Sequence, residues 1–235
     1  MHAANLKIIA KVASPFKEKF GIPRQPRIAE AAIGRIILQG EFNDPAYIQD
    51  IEQHSHIWLL FLFHKNLDQG YKSSVRPPRL GGNSKTGVFA TRSTFRPNGI
   101  GMSAVKLIGK TQINNQWQLI VQGIDLLDKT PIIDIKPYVP YSDLVLDAHS
   151  EMADEKPDNV LNVSFSSDCI GAIEPLSKKY PELLLLIEQV LQQDPRPSYK
   201  QGKPDEKVYG IRLYDLNIKW QVNGQVCCVI EITQE

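Results

Sequence analysis

The sequence predicts a mainly β N-terminal domain, a closed or nearly closed β-barrel of non-Rossmann type, followed by a small C-terminal α+β domain. Three observations carry this. Over residues 1–141 short apolar runs alternate with Gly, Pro and Asn turns, and only one early helical pattern interrupts them. Many short strands without intervening helices bury their apolar faces by curling or closing on themselves, whereas a doubly wound nucleotide fold needs alternating helices. Beyond residue 160, one strong helical pattern precedes three strand patterns.

In chain order, residues 6–13 read as an opening strand turned by Ser14-Pro15, and residues 34–38 as a second short strand. Tyr47, Ile48 and Ile51 recur at helical spacing and predict a helix over 45–53. Residues 57–63, IWLLFLF, form an unbroken apolar run that suits a strand buried on both faces. Residues 87–92, 100–107, 117–125 and 132–136 continue the strand series, with Asn114-Asn115 as a tight turn. Residues 142–159 are acidic and poor in large apolar side chains, and read as a linker between a 1–141 domain and a 160–235 domain. Tyr180-Pro181 opens the helix PELLLLIEQVLQQ, with Pro181 near its first turn and Glu182 against the positive end of the dipole. Asp194-Pro195 ends it. Strands at 208–214, 218–222 and 226–232 follow, the last two joined by Asn223-Gly224, the strongest hairpin signal in the chain.

The net charge of +1 hides an asymmetry. Residues 1–140 hold 18 Lys plus Arg against 10 Asp plus Glu, a balance of +8; the remainder holds 9 against 16, a balance of −7. A polyanionic partner is therefore expected to meet the first region. Cys169, Cys227 and Cys228 are odd in number and show no zinc spacing. Reduced thiols and a cytoplasmic protein are expected. The start lacks the apolar core of a signal peptide, and the longest apolar run is too short to span a bilayer, so no membrane association is expected.

The segment 75–103, VRPPRLGGNSKTGVFATRSTFRPNGIGMS, is rich in Gly, Pro and Arg and holds no carboxylate. Between Asp68 and Asp125 there is no Asp or Glu at all. Gly and Pro set unusual backbone angles and let main chain approach a ligand, and uncompensated cations attract phosphates. Arg76, Arg79, Lys85 and Arg96 are the candidate phosphate contacts of this segment, and Phe95 is its candidate aromatic contact to a polyanionic ligand. Arg196, Tyr199 and Lys200 in the tail are the second choice of phosphate-binding face. The alternative for such a stretch is a solvated basic loop.

The familiar nucleotide motifs are absent: no GxGxxG opens a βαβ unit, and there is no GxxxxGK[ST]. His54 and His56 would share one strand face, but no third ligand accompanies them, so no metal is expected. His64 and Lys65 form a polar pair at the end of the apolar strand, a place suited to ligand contacts or to a simple strand terminus. Asp128 reads as a turn residue. Asp134 lies within a strand and Asp125 at a strand end; each needs an ion-pair partner or a chemical role.

Four blocks together carry a resemblance: SPFKEKFGIPRQP at 14–26, HSHIWLLFLFH at 54–64, RPPRLGGNSKTGVFATRSTFRPNGIGMS at 76–103 and DLLDKTPIIDIKPYVPY at 125–141. In order and content they resemble the TsaA-like, or TrmO, family of S-adenosylmethionine-dependent tRNA methyltransferases. The tail, with QDPRPSYK at 193–200, resembles the C-terminal extension of bacterial members. The resemblance implies a β-barrel methyltransferase, a homodimer, and a substrate adenosine at tRNA position 37, next to the anticodon, that already bears an N6-threonylcarbamoyl group. A threonine tRNA is the implied substrate. It also implies cofactor contacts from Pro23, Arg24 and Gln25, from His64 and Lys65, from Arg92, from Met102, and from Gln122, Gly123, Ile124 and Asp125. One departure stands out: many relatives read RPNPIG where this chain has Asn98-Gly99-Ile100, and Gly99 predicts a looser turn before Met102.

A nitrogen between a purine and a carbamoyl carbonyl is a poor nucleophile, so a base that removes its proton, or cations that stabilise the developing anion, are expected. Asp125 is the first candidate base and His64 the second. The rival functions are a non-catalytic RNA-binding β-barrel and a methyltransferase using the same cofactor on another substrate.

Overall fold

The computed structural model describes residues 5–77, 84–151, 153, 160–197, 200–203 and 205–235. The described chain falls into two compact units, and neither is one continuous segment. The first comprises residues 1–13, 34–122 and 129–154; the second comprises 14–33, 123–128 and 155–235.

The first unit is built on six strands: β1 (Ala10–Ala13), β2 (Ile33–Leu38), β3 (His56–Leu62), β6 (Ile100–Ile113), β7 (Gln116–Gln122) and β8 (Pro131–Pro137). They follow one another in the order β1-β2-β7-β6-β3-β8, and β8 returns to β1 through Ala10 opposite Ile132, so the sheet forms a ring. Ile36, Ile57, Leu59, Val105, Leu119, Val121 and Ile132 are wholly buried. A ring this narrow has its interior filled by side chains rather than by a channel. Irregular register between Leu60 and Phe61 on β3 and between Leu107 and Gly109 on β6 lets these strands bend, as closure requires. Two short strands, β4 (Ser74–Val75) and β5 (Thr86–Gly87), pair separately.

Three local expectations need correction. The predicted helix over 45–53 is two 3₁₀ turns, Pro45–Ile48 and Ile51–Gln53. Asp44 caps the first turn, and Asp50 at φ 59° breaks the continuity that an α-helix needs. The predicted strand over 87–92 is mostly a 3₁₀ turn, Val88–Ala90, because Thr91 turns back through both its N–H and its hydroxyl onto the Val88 carbonyl. The apolar run is a strand, but not one buried on both faces. Ile57, Leu59 and Phe61 are buried while Trp58, Leu60 and Leu62 are half-buried. Asn114 and Asn115 take φ of 51° and 61°, the two left-handed residues of the tight turn between β6 and β7.

The second unit is a four-stranded sheet in the order β10-β11-β12-β9, from β9 (Asn162–Phe165), β10 (Asp205–Leu213), β11 (Leu216–Asn223) and β12 (Val226–Gln234). Parallel pairing of β9 with β12 needs a crossover, which the helical stretch after β9 begins. Helix α2 (Ser167–Leu176) was not anticipated; Ser166 caps it by accepting from the Cys169 N–H at 3.3 Å. Helix α3 (Leu183–Gln192) begins two residues after Pro181 and buries Leu183, Leu186, Ile187, Val190 and Leu191. Asn223 and Val226 pair across the expected hairpin turn, with Gly224 at φ 60°. The early segment 14–33 belongs to this unit: Phe16 bridges to Leu213, Glu18 accepts from the Arg212 N–H at 3.1 Å, and Gln189 accepts from Ala31 at 2.8 Å. A single helical turn, α1 (Pro140–Asp143), follows β8 in the first unit. Among the described residues no helix is long and apolar enough to cross a membrane, and no cluster of His, Cys, Asp and Glu could hold a metal ion. Cys227 is buried and Cys228 half-buried; burial pushes the Cys227 thiol up to about 12.

Candidate functional site

The chain just after Pro23, Arg24 and Gln25 meets Gly123 in the second unit. The Arg27 N–H donates to the Gly123 carbonyl at 2.9 Å, and the Gly123 N–H donates to the Ala32 carbonyl at 2.9 Å. Arg27 and Gly123 both take left-handed φ, 63° and 75°. A Cβ on Gly123 would lie 3.2 Å from the Arg27 Cα, so only glycine lets the two main chains approach this closely. Along the chain, Pro23, Arg24 and Gln25 precede Arg27, and Ile124 and Asp125 follow Gly123. Pro23 and Ile124 are buried, Gln25 and Asp125 half-buried, and Arg24 exposed.

In the first unit, His64 and Lys65 follow β3 directly. The Phe63 N–H donates to the Gly99 carbonyl at 2.8 Å, and the His64 N–H to Leu62 at 2.7 Å. Gly99 does not loosen its turn. It is buried at φ 59°, and its own N–H donates to Arg96 at 3.0 Å, so the turn is tied at both ends. Two residues on, the rings of Phe61 and Phe63 fill the space a side chain at Gly101 would need. Met102 is exposed on β6 opposite Leu60, and Gln122 ends β7 opposite Lys106. Met102 and Lys106 share one strand face about 13 Å apart, four residues at roughly 3.3 Å each.

The loop from Val88 to Asn98 is tied by its own side chains. The Thr91 hydroxyl donates to the Val88 carbonyl at 2.9 Å, Thr91 Oγ1 accepts from Ser93 N–H at 3.2 Å, and Ser93 Oγ accepts from Phe95 N–H at 3.3 Å. Arg96 Nη1 donates to Thr91 at 2.6 Å and to Val88 at 3.2 Å. Arg96, expected to meet phosphate, is thus in part a staple of its own loop. Arg92 stands exposed between the residues that tie it. Arg76 and Lys85 are exposed, and Arg79 lies outside the described residues.

The tail alternative needs correction. Arg196 is wholly buried, its Nε and Nη2 each 2.7 Å from a different carboxylate oxygen of Asp194, and its Nη1 donates to the Lys203 carbonyl. It cannot reach an RNA phosphate. Tyr199 lies outside the described residues, and Lys200 pairs with Asp205 at 3.2 Å. Asp128 accepts from the Ser14 N–H at 3.0 Å and pairs with Lys17 at 2.9 Å, while Asp134 pairs with Lys136 at 3.1 Å. Both carboxylates have structural partners. His56 Nδ1 is 3.0 Å from the Ser55 hydroxyl, and its ring meets Tyr138 edge-on.

Sequence reasoning passed over Phe89 and Asn98. With Arg96, Pro97 and Ile100 they line an open pocket of about 260 Å³ on the first unit. The outward aim of Phe89 depends on the 3₁₀ turn beneath it, for which the sequence offers only the glycine before it.

Comparison with known proteins gives a consistent result. A family profile described as the tRNA-methyltransferase O N-terminal domain matches residues 11–144, and the TrmO C-terminal domain profile matches residues 158–235. The chain is 42% identical over 222 residues to the tRNA (adenine(37)-N6)-methyltransferase of Escherichia coli (strain K12), covering 94% of each chain. A protein of the same name from Eikenella corrodens is 43% identical over 168 residues, 72% of this chain and 90% of that one. The crystal structure of TrmO from Pseudomonas aeruginosa aligns with a TM-score of 0.80 at 38% identity, covering 99% of each chain.

Proposed function

Because this chain belongs to the tRNA-methyltransferase O family, we propose that it methylates N6 of the threonylcarbamoylated adenosine 37 of tRNA, in a threonine tRNA. The reaction class is S-adenosylmethionine-dependent tRNA (adenine-N6)-methylation. The six-strand ring is read as a closed β-barrel that carries much of the site.

The residues present fit the cofactor, group by group. In the second unit, the close approach of main chain at Gly123 and Arg27 fixes the backbone there, and Gln25 and Asp125 stand two residues along the chain from that junction. An amide and a carboxylate are suited to ribose hydroxyls and to an ammonium group. In the first unit, exposed Lys65 and Arg92 suit the cofactor carboxylate, and exposed Met102 offers an apolar contact for a ring. Pro23, Arg24, His64, Gln122 and Ile124 complete the proposed set. When bound, the cofactor supplies an electrophilic methyl group for direct displacement, so the protein contributes chiefly alignment.

The proton on N6 is the protein's task. Asp125 is the proposed base, with His64 second. Arg76, Lys85, Arg96 and Arg79 are proposed to hold the anticodon loop through its phosphates.

A two-fold homodimer accounts for the run of exposed apolar side chains in the first unit, where Tyr141 is 93% and Leu146 90% exposed beside Leu144 and Val145. Light scattering that finds only monomer at working concentration overturns it. Free thiols fit a reducing cytoplasm.

The observation that supports the reading is the Arg27–Gly123 junction, two residues along the chain from Gln25 and from Asp125, in a chain 42% identical to an enzyme of that name. Nucleoside mass spectrometry of tRNA from cells with and without the protein tests it. Loss of the N6-methyl group from threonylcarbamoyladenosine is expected. Loss of a different methylated nucleoside would move the enzyme to another substrate. RNA binding without cofactor binding by calorimetry would leave a non-catalytic RNA-binding barrel.

A further inference from the structure

We infer that the pocket lined by Phe89, Arg96, Pro97, Asn98 and Ile100 is a nucleobase subsite, which takes one unstacked base of the RNA beside the adenosine that is methylated. The inference rests on the reading above that the substrate is tRNA. Phe89 is 77% exposed although its neighbour Val88 is buried. That contrast is enforced, because the Val88 N–H is held by Ser73 at 3.0 Å and the Val88 carbonyl accepts from Thr91 and Arg96. The turn therefore holds the phenyl ring out in solvent.

The Arg96 guanidinium stands 5.9 Å from the centre of that ring, and its bonds to the Val88 and Thr91 carbonyls hold it there. Phenyl and guanidinium planes are the two surfaces on which bases of single-stranded RNA stack. Pro97 and Ile100 supply apolar walls, and the Asn98 amide offers both a donor and an acceptor to a base edge. The hollow, about 260 Å³ and open to solvent, has room for one flat ring with one side exposed.

Phe95, the aromatic that the sequence favoured, is a poorer platform. It is half-buried where Phe89 is exposed, and the Lys72 ammonium sits closer to its ring centre, at 4.3 Å, than Arg96 does to that of Phe89. Charge favours the same occupant, since no carboxylate occurs in the chain from residue 69 to 124. Arg92 lies on this loop between Phe89 and Arg96, so a base held here is close in the chain to a proposed cofactor contact.

The test uses the full-length protein and tRNA carrying the threonylcarbamoyl group, in a set where each nucleotide flanking adenosine 37 is made abasic in turn. Phe89→Ala is expected to raise KM for tRNA roughly 5- to 150-fold, the range of losing one base stack. Phe89→Tyr should restore it, and cofactor affinity by calorimetry should not change. One abasic tRNA should impair the wild-type protein to the same degree and suffer no further loss from Phe89→Ala. An unchanged KM overturns the inference. So do full activity in Phe89→Leu, an equal Phe89→Ala penalty on every abasic tRNA, or a weakened cofactor. Failure of the underlying reading shows separately, as wild-type protein that methylates no tRNA. Fluorescence of 2-aminopurine-labelled tRNA then still compares the wild-type pocket with Phe89→Ala.

Discussion

Arg96 in the first unit and Arg196 in the second occur in the same local setting, each followed by proline, and both were candidates for holding phosphate. The structure gives them opposite roles. Arg196 has a carboxylate two residues before it, closes on Asp194 through two bonds of 2.7 Å, and disappears from the surface. Arg96 lies in a stretch with no carboxylate. Its guanidinium turns to neutral carbonyls and an exposed phenyl ring, and stays half-buried. Neutral acceptors leave its positive charge uncancelled, whereas Asp194 cancels that of Arg196. Between these two arginines, only the one without an acid within reach keeps its positive charge at the surface.

The comparison breaks first at Arg196. Replacing it with Ala leaves Asp194 buried and unpaired, a loss of about 3–5 kcal/mol. Urea unfolding should show a much lower midpoint, and Arg196→Lys should recover only part of it because one ammonium cannot make both bonds. Next comes Gly123→Ala, which forces a side chain into left-handed backbone at a cost of about 1–2 kcal/mol and presses on Arg27. Calorimetry should find weaker cofactor binding in that variant, and unchanged affinity would detach the junction from the cofactor site. Arg96→Ala removes two bonds from a partly solvated cation, roughly 1 kcal/mol of stability. Its larger effect should be on tRNA binding. The double variant Arg76→Ala, Lys85→Ala should leave stability alone and lower the slope of log binding constant against log salt by roughly 1.4–1.8, two phosphate contacts' worth.

The smallest effect separates the partly exposed Lys200–Asp205 pair of the second unit from its fully buried one. The Tyr209 hydroxyl, 2.5 Å away, is the main reason the Asp205 carboxyl is held at about 2, helped by the Lys207 N–H and the Lys200 ammonium. A carboxyl whose folded value is depressed contributes stability that is complete above its unfolded value of about 3.9 and is lost as pH falls through the folded one. Asp205→Asn should therefore be less stable than wild type at pH 7, with the gap closing between about pH 4 and pH 2. A gap that stays constant across that window would assign the effect to packing instead of charge.

Much of the fold was legible because its signals are local. Alternation and turn chemistry located β2, β6, β7, β8 and the two tight turns at Asn114-Asn115 and Asn223-Gly224, where side-chain conformational preference alone selects the backbone. Where a segment's spacing competed with a neighbour's hydrogen bonds, the local reading failed. Helical spacing at Tyr47, Ile48 and Ile51 lost to the left-handed Asp50, and the strand expected after Gly87 lost to Thr91 folding back on Val88. Helix α2 carried a cap at Ser166 but only a modest apolar face, so nothing marked it in advance.

By itself the sequence determined the family, the strand-rich first region, the basic acid-free stretch and the segments that form the proposed site. These depend on residue type and order, which the chain displays directly. Tertiary structure alone decided which of those residues remain available. It joined Arg27 to Gly123, 96 residues on, withdrew Arg196 behind Asp194, bound Arg96 to its own loop and turned Phe89 outward. The physical reason is that burial and pairing of a charge or a ring depend on what the rest of the chain brings within about 3–4 Å, and neither composition nor spacing specifies that neighbour.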